Sequence, residues 1–546
     1  MKRVLLVLLI GLALTTSAQQ RTWQDPPKLV VGVIVDQMRV DYLYRYWDNF
    51  GTGGFRRLIS EGAFLRDAHF TYFHTKTAAG HASVYTGSTP SVHGIMANDW
   101  FDLGSRRMVN CVGDTTVQGV GSPTARSSPH RLLATTLADE IERRTDGEGH
   151  TIGISRKDRA AILPIGRTGD AAYWMNMATG DFVTSSWYGS KELAPWVSAF
   201  NAKGLAAKYM AETWKPLLPI ERYHQALPDD NPYETPLYPG TRPAFPYAFG
   251  EWRKAGASME YFQYSPWCNT LLTDMAVAAM EAEELGKDDH TDLLAISYSS
   301  PDDLGHEVGI RAIEMEDMYL RLDREIARLL NELDTRVGPG NYTLFLTADH
   351  GAVDVPEYLK DLKGSGGFVP SDSLLAFVEA RAKKAGLVDA NGGSLIERKS
   401  GGQLYLRDRK ATSTRVASEF ARILMEHPAV AFAIPVAEIL QRPSGDPRTD
   451  RLRNSVMPQR SGEVIYQLHP GYSELYPGGP HSGTEHSTGW NYDTHVPVIF
   501  FGKGIVPGEV VRRTTIPDIV PTMCMIIGCA LPDGAVGEAV PEVIAH

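Results

Sequence analysis

Hydrophobic, strand-like runs in this sequence end on Asp or His, and that pattern constrains the fold more than any other. Asp36 closes Lys28-Leu-Val-Val-Gly-Val-Ile-Val35, Asp302 and His306 follow Asp292-Leu-Leu-Ala-Ile-Ser-Tyr298, and Asp349-His350 close Thr343-Leu-Phe-Leu-Thr-Ala348. In an open α/β sheet the ligand crevice lies beyond the carboxyl ends of the parallel strands, so these side chains are expected to converge. His486, in Ser482-Gly-Thr-Glu-His-Ser-Thr-Gly489, adds a further donor of the same kind. Three Asp and three His with no cysteine among them form a mixed oxygen and nitrogen set, enough for two metal ions. Such donors suit zinc, and also manganese or iron, and argue against a purely structural zinc site.

At 546 residues and 43% hydrophobic content the chain can bury a large core. The net charge of −11, with no cluster of Lys and Arg, excludes nucleic acid as an expected standing partner. Lys2 and Arg3, the apolar stretch Val4 to Leu14 and Thr16-Ser17-Ala18 have the order of a signal peptide over 1–18, which predicts an exported chain. No later run is long enough for a membrane anchor, and the mature chain is expected to be a monomer. Cys111, Cys268, Cys524 and Cys529 lack zinc-ribbon spacing; a local Cys524–Cys529 bridge and buried free thiols are equally compatible with the sequence.

Strand-like and helix-like segments alternate over 27–180. Residues 181–290 are dense in Trp, Tyr, Pro and Gly and read as an inserted cap of the kind that shapes a substrate entrance. Alternation resumes over 291–355, where Glu307 to Leu333 reads as one long amphipathic stretch. Residues 356–480 read as a smaller α/β subdomain, with helices predicted over Ser371–Lys384 and Thr412–Glu426 and strands over Gln403–Arg407 and Glu463–Leu468. The core returns over 481–546 with His486 and the strand His495–Phe501.

Thr75, Thr77 and Ser83 offer hydroxyls near a predicted helix, and a hydroxyl at a helix N-terminus beside a metal can act as a nucleophile. Residue chemistry does not choose among the three. Lys157 and Arg159 are two residues apart and, in an extended segment, share a face suited to a phosphate. Asn98 is a candidate amide donor to the same oxyanion.

Taken together, Val35-Asp36, Thr77-Ala-Ala-Gly-His-Ala82, Tyr85-Thr-Gly-Ser88, His93-Gly94, Asn98, Lys157-Asp-Arg159, Asp302 with His306, Ala348-Asp-His-Gly351, His486 and Pro517-Asp-Ile-Val-Pro-Thr522 resemble the alkaline phosphatase superfamily, and within it the PafA-type alkaline phosphatases. The resemblance implies a three-layer α/β/α core with a mainly parallel central sheet. It further implies two Zn2+ ions, one on Asp36, Asp349 and His350 and one on Asp302, His306 and His486. Thr77 is then the nucleophile that hydrolyses phosphate monoesters through a phospho-threonine, while Asn98, Lys157 and Arg159 bind the phosphate oxygens. His486 is followed by Ser487 where many relatives have Gly, and His481 lies nearby.

A phosphodiesterase or nucleotide pyrophosphatase of the same superfamily would share the metals and the Thr but normally lack the Lys-x-Arg pair. A sulfatase would need a Cys or Ser followed by Pro and Arg, which Thr77-Ala-Ala-Gly-His81 does not supply. An exported binding protein that has lost catalysis is the alternative from another class, and it conflicts with the full set of expected catalytic positions.

Overall fold

A computed structural model describes residues 25–407, 414–475 and 483–545. The amino-terminal segment read as a signal peptide, residues 412 and 413 at the start of a predicted helix, and His481 lie outside the described residues.

A ten-stranded sheet organises the molecule, in the order Gly508–Thr515, Ala63–His69, His495–Gly502, Tyr342–Thr347, Leu29–Val35, Asp292–Tyr298, Thr151–Ser155, Ala171–Met175, Phe182–Ser185 and Gly119–Val120. The five strands from Tyr342–Thr347 to Ala171–Met175 run parallel, and antiparallel pairings flank them. Leu29–Val35, Asp292–Tyr298 and Tyr342–Thr347 are buried along their whole length, as apolar runs covered on both faces should be. Their register decides where the site forms. Val35 pairs with Tyr298, Ile34 with Thr347, and Ser155 with Ser297, so Asp36, Asp302, Asp349 and Lys157 all emerge at one edge.

The helix Thr77–Thr86 is buried at every residue and lies directly against that edge. Gly80 permits this approach, because a Cβ there would come within 2.3 Å of the Asp349 carbonyl oxygen. The long amphipathic stretch from Glu307 to Leu333 falls on two helices, Ser300–Val308 and Ile313–Arg336. Gly309, at φ +78°, ends the first in a conformation that L side chains avoid. The break matters because it leaves Asp302 and His306 on one face of a short helix.

Residues 369–472 contain their own hydrophobic cluster, built on Leu374, Val378, Phe420, Leu424 and Val464, around the four-stranded sheet Ile396–Ser400, Gln403–Leu406, Val464–Leu468 and Val430–Pro435. By contrast Trp214, Tyr247, Phe249 and Phe262 join the main cluster under the central sheet. Cys111, Cys268, Cys524 and Cys529 are free thiols in this structure. Among the described residues no helix is long and apolar enough to cross a membrane.

Candidate active site

Six of the predicted donors meet beyond the carboxyl ends of the parallel strands. Two triads, Asp302/His306/His486 and Asp36/Asp302/His350, place one donor atom each within 4.8 Å of the others. His306 Nε2 lies 3.1 Å and His486 Nε2 3.7 Å from Asp302 Oδ1, while His350 Nε2 lies 3.4 Å from Asp36 Oδ1 and 3.6 Å from Asp349 Oδ2. Asp302 therefore stands between the two groups. The His350 and His486 rings stack with centroids 3.6 Å apart, which ties the loop carrying His486 to the strand end carrying His350.

Each imidazole is oriented from behind by a carbonyl. Nδ1–H of His306 donates to Thr484 O at 2.9 Å, that of His350 to Gly351 O at 3.0 Å and that of His486 to Thr75 O at 2.8 Å. A carbonyl only accepts, so these contacts fix the inward nitrogen as Nε2, the arrangement found behind metal-ligating histidines. Gln37 steadies the carboxylates: its Nε2 donates to Asp302 Oδ1 at 2.7 Å and its backbone N–H to Asp349 Oδ1 at 3.2 Å. It does so at φ +63°, uncommon for a residue other than glycine. Asp36 Oδ1, Asp349 Oδ2 and His350 Nε2 are buried and have no hydrogen-bond donor. Native proteins rarely leave such atoms unpaired, and three acceptors aimed at one point fit a bound cation. The donor set thus suits a borderline divalent metal.

Charge in the site is correspondingly out of balance. Burial and the facing Asp36 push the Asp349 carboxyl well above the ordinary range. Burial would raise Asp302 as well, but Lys157 and His306 overcome it and hold that carboxyl well below the usual value. Burial opposes a charged His306, yet Asp302 and Glu485 raise it to about 10. Burial lowers His350, and burial together with His350 lowers His486. A metal ion would itself become the largest local charge and reset these values.

Thr77 is the first residue of the buried helix Thr77–Thr86, and it lines a cleft of about 590 Å³ together with Asn98, Lys157, Arg159, Asp302, His306 and His486. Thr75 Oγ1 donates to Thr488 O at 3.0 Å, and Ser83, inside the helix rather than before it, donates to Ala79 O at 2.8 Å. Neither lines the cleft. Asn98 Oδ1 accepts from Ala78 N–H at 2.9 Å, which turns its amide NH2 group away from the helix and leaves those donors for a ligand. The expectation that Lys157 and Arg159 share a face of an extended segment needs correction. The strand ends at Ser155 and a helix runs from Asp158 to Ile165, so the two cations are brought to the cleft around a helix N-terminus. Lys157 Nζ donates to Asp36 Oδ2 at 2.6 Å and Asp302 Oδ2 at 2.5 Å, and Arg159 Nε is buried without a partner.

Sequence reasoning missed Gln37, whose only signal is its place beside Asp36, and Arg156, which pairs with Asp303 at 2.5 Å. It also missed Gln263 and Tyr264, which reach the cleft from a loop-rich segment with no chemical signature. Lys76 lines the same cleft one residue before Thr77.

The fold and this site define a class. Residues 30–491 match the family model for type I phosphodiesterase / nucleotide pyrophosphatase, and the chain belongs to that family of the alkaline phosphatase superfamily. Alkaline phosphatase PafA of Elizabethkingia meningoseptica is 37% identical over 97% of this chain and 96% of its own, which places the chain among the PafA-type proteins. A protein of Myroides odoratus named calcium-transporting ATPase is also 37% identical, over 95% of each chain. The crystal structure of wild-type alkaline phosphatase PafA superposes with a TM-score of 0.90 at 38% identity, covering 95% of this chain and 99% of that one. The match supports an alkaline-phosphatase-like α/β core with a large, mainly parallel central sheet.

Proposed function

We propose that this protein is an exported, monomeric alkaline phosphatase that hydrolyses phosphate monoesters through a covalent phospho-threonine at Thr77, with two Zn2+ ions as cofactors. Asp36, Asp349 and His350 would hold one ion, and Asp302, His306 and His486 the other. When bound, the two ions lower the pKa of the attacking hydroxyl and neutralise charge on the leaving oxygen. The amino-terminal segment supports export, and the full-length likeness to alkaline phosphatase PafA supports the reaction class.

The chain's own residues do the rest by position and charge. Arg159, half-buried in the cleft, offers a fork for two phosphate oxygens, and the Asn98 amide a further donor. Lys157 has three N–H groups, of which two serve Asp36 and Asp302, so the third is available to a substrate oxygen. Held between these donors, the phosphorus faces Thr77 Oγ1. The Oγ1–P bond forms as the ester P–O bond breaks in line, and the alcohol departs with a proton. Water then attacks phospho-Thr77 from the vacated side, restoring the hydroxyl and releasing inorganic phosphate.

The observation that carries this reading is the pair of cations Lys157 and Arg159, which line the cleft with Thr77 and Asn98 beside the donor cluster. A monoester is a dianion on its non-bridging oxygens, whereas a diester carries one charge and an extra substituent where a cation would sit. The family description keeps diester and pyrophosphate hydrolysis as the second reading. The terminal phosphoryl group of ATP presents the same dianion as a monoester, so ATP belongs in the substrate panel. The test is a panel of monoesters, diesters, sulfate esters and ATP on zinc-loaded protein, with the double variant Lys157→Ala/Arg159→Ala alongside. Each lost donor costs about 3 kcal/mol in the transition state, so the double variant should lose several orders of magnitude in kcat/KM on an aryl monoester. Diester turnover should stay within roughly tenfold. Equal losses on both substrates would overturn the monoesterase assignment, and unchanged turnover in excess chelator would overturn the metal dependence.

A further inference from the structure

A narrow pocket of about 60 Å³ adjoins the catalytic cleft, and Lys76, Glu485 and His486 line both. The inserted segment 356–480 contributes Gly402, Tyr466 and Glu474 to its lining. Two buried polar atoms of lining residues have no hydrogen-bond partner, Nε2 of His74 and Oγ of Ser487. Native proteins rarely leave such atoms unpaired, so the two mark a place for a ligand. The backbone supports the same reading. His74 at φ +65° and Ser487 at φ +94° both hold a conformation that L side chains seldom adopt. Strain of this kind persists where a side chain is needed in one position.

We infer that this pocket is a subsite for the leaving alcohol of the phosphate ester, and that it selects a compact polyol through hydrogen bonds between the polyol hydroxyls and Ser487 Oγ and His74 Nε2. The inference rests on the phosphomonoesterase reading above. A monoester has two parts, a phosphoryl group and an alcohol. The phosphoryl group belongs among Thr77, Asn98, Lys157 and Arg159, none of which lines the pocket, so the part that reaches it is the alcohol.

Size and charge narrow the class of alcohol. A volume of about 60 Å³ has room for a few water-sized groups, which fits a short polyol better than a nucleoside. Glu474 is paired with Lys399 and accepts from the Tyr466 hydroxyl at 2.7 Å, while Lys76 and Glu485 carry opposite charges. The lining is thus nearly balanced in charge, which suits a neutral hydroxylic ligand rather than a second anionic group. Burial, helped by Lys76, lowers His74 to about 4, so its ring is neutral. A neutral imidazole and a serine hydroxyl bond to hydroxyls without demanding a charge in return.

The test compares kcat/KM on glycerol 1-phosphate and propyl phosphate, whose alcohols differ only in their free hydroxyls, for zinc-loaded wild type, Ser487→Gly and His74→Phe. Glycine is at ease at a positive φ, so Ser487→Gly removes the hydroxyl without adding strain. Each variant should lower the glycerol-to-propyl ratio by about tenfold, the scale of one hydrogen bond to a bound hydroxyl. Disturbance of the neighbouring His486 would instead slow both esters alike and leave the ratio as it was. An unchanged ratio in either variant would overturn the subsite. Phenyl phosphate checks the underlying reading separately: wild type that turns it over, with unchanged ratios in the variants, keeps the phosphatase assignment and loses only the subsite. Wild type that leaves phenyl phosphate intact would remove both.

Discussion

The ammonium of Lys157 rests 2.5 Å from the carboxylate of Asp302, and both side chains are buried. A buried pair of this kind adds little net stability compared with apolar packing, but losing one partner leaves an uncompensated charge and costs about 3–5 kcal/mol. Asp302 also belongs to both candidate metal-binding groups, so a bound cation would take over much of the role of Lys157. Lys157→Met should therefore lower the melting temperature of chelator-treated protein far more than that of zinc-loaded protein. Equal losses in the two states, measured by calorimetry, would show that Lys157 and the metal do not share those carboxylates.

Of the three candidate hydroxyls, Thr75 and Ser83 are committed to backbone carbonyls and only Thr77 lines the cleft. Thr77→Ser should retain activity and Thr77→Ala should lose nearly all of it. Acid quenching during turnover, followed by peptide mapping, should find phosphate on Thr77. Phosphate on Thr75 or Ser83 would name a different nucleophile.

Gln37 reaches Asp302 through its side chain and Asp349 through its backbone, so only the first contact is lost on truncation. Outer contacts of this type tune metal affinity by roughly 10–100-fold. Gln37→Ala should weaken metal binding on that scale in a competition with a chromophoric chelator, with little change in the melting temperature of metal-free protein. Wild-type affinity in the variant would make Gln37 a packing residue only.

Asp493 is fully buried, and burial lifts its carboxyl to about 8 against the hydrogen bonds from Thr488 that pull it down. The unfolded chain gives up this proton near pH 4, so between about 4 and 8 the folded state binds one proton more. Stability from this group is complete below about pH 4 and is lost as pH rises through 8, by at most about 1.4 kcal/mol per unit. Asp493→Asn keeps an acceptor for Thr488 and should flatten the dependence. Urea midpoints between pH 5 and 8.5 that run parallel in wild type and variant would refute this assignment.

How far the sequence could be read depended on whether a residue's role followed from its own neighbours. Leu29–Val35 and Asp292–Tyr298 announce themselves because strands buried on both faces need unbroken apolar runs, and the Asp that ends each run stands out. Most of Glu307 to Leu333 is the single helix Ile313–Arg336, and in the sequence Gly309 is what marks the break from the short helix before it. The Lys157-Asp-Arg159 spacing pointed to the right wall of the cleft through the wrong local geometry, since a helix begins at Asp158. Gln37, Gln263 and Tyr264 carry no pattern at all; their place in the site arises from chain crossings that no local window contains.

His486 meets the Thr75 carbonyl across 411 residues of chain, and the other donors come from three separate strand ends, one before Thr75 and two in between. Because the chain is made from its amino terminus, a nascent chain that already holds Thr77, Asp36 and Lys157 still has no closed pocket for a cation. The donor cluster is therefore completed only when the chain has been made as far as His486, so a molecule cut short before that residue is expected to lack one donor of the Asp302/His306/His486 group and to bind metal more weakly there.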